Sequence, residues 1–145
     1  MSKDGLRKIV STLADVPKIA SLLATRANPG AVFCFSGPPG AGKTTLIKTL
    51  VAKTTGIDET EVTSPTFTYL HIYEGSDLTC FHFDLYRCAD HVDFLAGGFD
   101  EYFDAGGICC IEWAERIAPL IPEGAVRIDI SHENERTREV RITGL

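Results

Sequence analysis

The chain has 145 residues, with 20 Asp plus Glu against 14 Lys plus Arg and a net charge of −6. That acidity, with no basic cluster interleaved with aromatics, argues against unaided nucleic-acid binding. The apolar runs are too short to span a bilayer, and the N-terminus lacks the pattern of a secretory signal, so a cytoplasmic protein with no membrane association is expected. The length suits one domain over residues 1–145.

The first predicted element is a helix capped by Asp15, with Pro17 in its opening turn and Val16, Ile19, Ala20, Leu22 and Leu23 as an apolar stripe. Asn28-Pro29-Gly30 ends it, and Ala31 to Phe35 then reads as a buried strand. The next residues, Gly37-Pro38-Pro39-Gly40-Ala41-Gly42-Lys43-Thr44, fit G-x-x-x-x-G-K-[ST] without a mismatch. Apolar residues at helical spacing follow from Thr45 to Val51. Strand, glycine-rich loop and helix therefore stand in the order that a phosphate-binding loop requires. The glycines let successive N–H groups turn toward phosphate oxygens, and the positive end of the following helix favours the same anion. Gly37, Gly40, Ala41, Gly42, Lys43, Thr44 and Thr45 form the candidate binding set. Lys43 would reach the outer phosphates of a polyphosphate ligand, and the Thr44 hydroxyl would ligate Mg²⁺.

Further on, Thr66 to Tyr73 and Leu78 to Phe83 flank a turn-like Glu74-Gly75-Ser76-Asp77 and predict a β-hairpin. Its first arm begins in Ser64-Pro65-Thr66-Phe67-Thr68, a hydroxyl-rich stretch that reads either as a phosphate-sensing switch containing Thr66 or as a plain strand start. The second arm runs into Asp84, a candidate for holding a metal-bound water or orienting the attacking one. His82 and Arg87 flank it as secondary candidates. Two short helices are predicted between Asp90 and Phe103, broken at Gly97-Gly98. Ile108 to Ile111 is a continuous apolar run, as expected of a central parallel strand, and it delivers Glu112 to the carboxyl edge of the sheet as a candidate Mg²⁺ ligand. A helix is predicted through Ala114 to Ile121. Alternating residues from Val126 to Ile130 then pair, through a Glu133-Asn134-Glu135 turn, with a strand around Val140 and Ile142.

The five cysteines, Cys34, Cys80, Cys88, Cys109 and Cys110, show neither a C-x-x-C pair nor zinc-finger spacing. Cys34, Cys109 and Cys110 are read as reduced core residues. The expected fold class is α/β: a P-loop NTPase-like parallel sheet core flanked by helices, with added antiparallel strands.

Taken together, Gly40 to Leu46, Ser64 to Thr68, His82 to Arg87 and Ile111 to Trp113 resemble the TsaE (YjeE) ATPases of bacterial tRNA threonylcarbamoyladenosine biosynthesis, in the same order and over most of the chain. The resemblance implies a Mg²⁺-dependent ATPase. Lys43 would bind phosphate, Thr44 and Glu112 would serve the Mg²⁺ site with Asp84 supporting hydrolysis, and Thr66 would lie in the switch. It also implies TsaD and TsaB as protein partners, with tRNA reached only through their complex. Pro38-Pro39 stands where the family commonly has Asp-Leu, and Ala114 where it commonly has Pro. The alternatives are a small-molecule or nucleotide kinase, although no lid insert is evident, and a nucleotide-dependent binding module with negligible hydrolysis.

Overall fold

The computed structural model describes residues 7–62 and 69–145. Its regular elements are β1 (Arg7–Ser11), α1 (Val16–Ala24), β2 (Val32–Ser36), α2 (Lys43–Thr55), β3 (Leu70–Glu74), β4 (Thr79–Asp84), α3 (His91–Ala96), β5 (Ile108–Glu112), β6 (Val126–His132) and β7 (Arg138–Thr143). Short 3₁₀ segments join several of them.

The strands form one seven-stranded sheet in the order β1-β7-β6-β2-β5-β4-β3. Strands β6, β2, β5 and β4 run parallel, while β3, β7 and β1 are added antiparallel. This is the expected α/β class. Strands β2 and β5 lie at the centre of the sheet, which explains their lack of polar alternation: both faces of each are covered. On one face, Phe33 and Phe35 of β2 pack with Ile128 and Ile130 against α1 and α2 through Leu23, Leu46 and Leu50. On the other, Val32 and Cys34 join Phe83, Ile111, Phe94 and Ile117 beneath α3 and the 3₁₀ segments. All five cysteines are free and buried. Burial pushes the Cys34 thiol up to about 11 and that of Cys109 up to about 12, as expected of thiols used as small hydrophobes.

Three local expectations change. Asp15 occupies the N-cap of α1, but its carboxylate turns back to accept from the Thr12 N–H and hydroxyl instead of capping the helix. Ala114 to Leu120 is a 3₁₀ segment and not an α-helix, because Pro119 lacks an N–H and Ile117 departs from helical geometry at φ −126°. Strand β1 has no counterpart among the predicted elements; it owes its conformation to pairing with β7 at the opposite end of the chain. The hairpin is present as β3 and β4, and Thr66, where its first arm was expected to begin, lies outside the described residues.

Candidate functional site

Because β2, β4, β5 and β6 are parallel, their carboxyl ends share one edge of the sheet. Here β2 opens into the glycine-rich loop and α2 begins at Lys43. Gly37 holds φ +134°, and a Cβ there would stand 2.1 Å from the Ile130 carbonyl oxygen, so the chain passes against β6 only because this residue has no side chain. Gly42 caps α2 in the left-handed region at φ +106°. As a glycine it has no side chain to cap the helix, so its N-cap leaves the positive helix end available to an anion. The Lys43 ammonium folds back over the loop and donates to the Gly37 carbonyl. Thr44 is exposed in the first turn, Thr45 is half-buried, and Ala41 is fully buried under the loop.

The two predicted carboxylates come together beside this loop. Asp84 and Glu112 are register partners at the ends of β4 and β5, and Glu112 in turn is in register with Phe35 of β2. Asp84 Oδ1 accepts from the Tyr86 N–H at 3.1 Å, and the Glu112 carbonyl accepts from the Leu85 N–H at 3.1 Å, which ties the two strand ends. Burial holds the Asp84 carboxyl above the ordinary carboxylate range; the neighbouring Glu112 charge raises it further, against the Tyr86 N–H, His82 and Lys43, which pull it down. Glu112 is buried and His82 Nε2 lies 2.9 Å from its Oε2.

Among the described residues no group of three His, Cys, Asp or Glu side chains could hold a metal. The donors available at this edge are hard oxygens: the Thr44 hydroxyl and the two carboxylates. Such a partial set fits Mg²⁺, which keeps several waters and is completed by substrate phosphates, and does not fit a metal that requires an all-protein cage. Trp113, directly after Glu112, adopts a left-handed conformation at φ 61°. Its ring centroid lies 5.0 Å from that of Tyr86, and the Arg116 guanidinium lies 5.3 Å from its centre.

On the β6–β7 side of the loop lies a cleft of about 230 Å³. Val16, Ile19, Leu46 and Val140 make its walls apolar, while Thr12, Glu135, Arg136 and Arg138 supply polar groups. Arg138 Nε donates to the Ala41 carbonyl at 3.1 Å and so anchors the loop to β7. The loop thus separates a mixed apolar and polar cleft from a pair of carboxylates. Of the cleft lining, sequence reasoning placed Ala41, Gly42 and Thr45 in the binding set and missed Thr12, Glu135, Arg136 and Arg138. Only the alternation through Arg138 and Val140 hinted that Arg138 is presented from a strand. It also missed the contact between His82 and Glu112. The hydroxyl segment around Thr66, the candidate switch, lies outside the described residues. No described helix is long and apolar enough to cross a membrane.

Comparison with known proteins converges on one family. The family described as "Threonylcarbamoyl adenosine biosynthesis protein TsaE" matches residues 10–140. The chain is similar to the tRNA threonylcarbamoyladenosine biosynthesis protein TsaE of Bacillus subtilis, with 39% identity covering 88% of this chain and 78% of that one. The protein of the same name from Treponema pallidum is 36% identical, over 94% of this chain and 99% of its own. Among solved structures, the crystal structure of Bacillus subtilis YdiB superposes with a TM-score of 0.76 at 32% identity, covering 99% of this chain and 88% of that one.

Proposed function

The chain belongs to the TsaE family of tRNA threonylcarbamoyladenosine biosynthesis, and from that premise we propose that it is the family's ATP-binding subunit, a Mg²⁺-dependent ATPase acting with TsaB and TsaD. The observation that carries this reading is the convergence of Lys43, Asp84 and Glu112 on one sheet edge, beside a helix N-terminus whose N-cap is Gly42.

On binding, the loop N–H groups and the end of α2 would receive the phosphates, and Lys43 would exchange the Gly37 carbonyl for phosphate oxygen. The base would enter the cleft bounded by Thr12 and Arg138. Thr44 and Glu112, with Asp84 close by, would hold Mg²⁺, which would supply charge neutralisation for phosphoryl transfer. Asp84 is the part-exposed carboxylate of the pair and is suited to orient the attacking water, whereas buried Glu112 is suited to a fixed position. Phosphoryl transfer depends mainly on positioning and on stabilising charge. With no lid insert in the sequence and Lys43 the only basic side chain in the loop, turnover by the free protein should be slow. A partner that completes the site would accelerate it, and by linkage the nucleotide state would alter partner affinity. The net charge of −6 supports contact with tRNA through the TsaB–TsaD complex and not directly.

The test measures ATP hydrolysis by the protein alone and with TsaB and TsaD, together with ATP binding by Lys43→Ala. Loss of one charge-assisted contact should weaken ATP binding about 10- to 100-fold while the fold is retained. Wild-type affinity in the folded variant sinks the phosphate-loop reading. ATP binding without hydrolysis, even with both partners, leaves a nucleotide-dependent binding module in its place.

A further inference from the structure

His82 precedes Asp84 by two residues on β4 and stands in register with Cys110 on β5. It is only 2% exposed, and Glu112 is 7% exposed. Their contact, Nε2 to Oε2 at 2.9 Å, joins residues 30 apart in the chain. A carboxylate taken out of water loses solvation that hydrogen-bond donors must offset. Here an imidazole does so. The other ring nitrogen, Nδ1, is buried with no hydrogen-bond partner among the described residues. A proton on Nδ1 alone would be an orphaned donor and would leave two lone pairs facing each other across the contact with Glu112. The pairing therefore assigns the proton to Nε2, where it is donated to the carboxylate.

Resting on the ATPase reading above, we propose that His82 is the positioning residue for Glu112: its Nε2–H locks one carboxylate oxygen so that Glu112 meets the metal–phosphate group in a single orientation. Two features set this apart from an ordinary satisfied core histidine. The ring directs its donor at a candidate site carboxylate and at nothing else described. It also sits at the strand end that carries Asp84, so β4 supplies both a part-exposed carboxylate and the support for the buried one. Outer partners of this kind hold ligating carboxylates in place, and losing them characteristically costs about 10- to 100-fold in metal affinity or activity.

The test compares His82→Leu, which removes the donor, with His82→Gln, whose amide nitrogen reaches about as far as Nε2. Mn²⁺ is titrated by electron paramagnetic resonance in the presence of a non-hydrolysable ATP analogue, and ADP binding is measured separately in EDTA. The leucine variant should bind Mn²⁺ about 10- to 100-fold more weakly and lose kcat to a similar degree, with metal-free ADP affinity unchanged within about twofold. The glutamine variant should recover most of both losses. Native Mn²⁺ affinity in a folded leucine variant overturns the proposal, as does equal damage in the glutamine variant, which would mean that ring packing matters and the donor does not. Should the leucine variant not fold, His82→Asn, whose amide stops short of Glu112, replaces it and must show the same deficit. If the wild-type protein binds no Mn²⁺ with the analogue, the ATPase reading itself fails; if it binds and hydrolyses normally while the variants match it, only the role of His82 falls.

Discussion

Replacing Asp84 by Asn should make the protein more stable and less active. Asn preserves the side-chain volume and the oxygen that accepts from the Tyr86 N–H, so the change is nearly confined to charge. Burial, reinforced by the charge of Glu112, holds the native Asp84 carboxyl above its ordinary value of 3.8. The native state thus binds this proton more tightly than the unfolded chain does. Stability then falls as pH rises from that ordinary value through the raised native one, and the penalty stays constant above it. Neighbouring strands lie about 4.8 Å apart, and like charges at that separation repel by about 1 kcal/mol in water and about 3 kcal/mol at the effective dielectric of a protein. Since Asp84 is part-exposed and Lys43 offsets some of the repulsion, the lower figure applies. Asp84→Asn should therefore gain about 1 kcal/mol at pH 7, or about 3 °C in Tm for a chain of this size. Urea denaturation in EDTA without nucleotide, from pH 4 to 8, should show a gap between variant and wild type that widens with pH and then levels. In the same variant kcat should drop about 100-fold or more, with ATP affinity changed only a few-fold. A variant less stable at pH 7, or a gap independent of pH, refutes the electrostatic account of Asp84.

Gly37→Ala should destabilise the protein by about 2 kcal/mol or more, because φ +134° is strained for alanine and the new Cβ would meet the Ile130 carbonyl; urea titration reads this, and native stability contradicts the close approach. Glu112→Gln should lower hydrolysis far more than ATP binding, by about 100-fold in kcat, and equal loss of both in a folded variant removes Glu112 from the Mg²⁺ site. Thr66→Ala should weaken the stimulation of turnover by TsaB and TsaD more than it weakens ATP binding, and full stimulation in the variant rejects the proposed switch.

The glycine-rich loop was legible in the sequence because its residues are contiguous: the glycines, Lys43 and Thr44 lie between a buried strand and a helix. Asp84 and Glu112 were legible as ends of apolar runs, since parallel strands deliver their last residues to a common edge. The short helix and 3₁₀ segment from His91 to Asp104 followed their Gly97-Gly98 break in the same local way. The helix predicted through Ala114 to Ile121 is a 3₁₀ segment over Ala114 to Leu120, since Pro119 and the break at Ile117 lie inside it. What the tertiary structure alone decided depends on sheet order. The order β7-β6-β2-β5-β4 sets Arg138 against Ala41 across 97 positions, His82 against Glu112 across 30, and β1 beside β7. Local propensity and periodicity carry no record of such pairings. They arise when distant segments compete to bury the same apolar faces, and the polar groups brought along must then find partners among whatever side chains the packing has placed nearby.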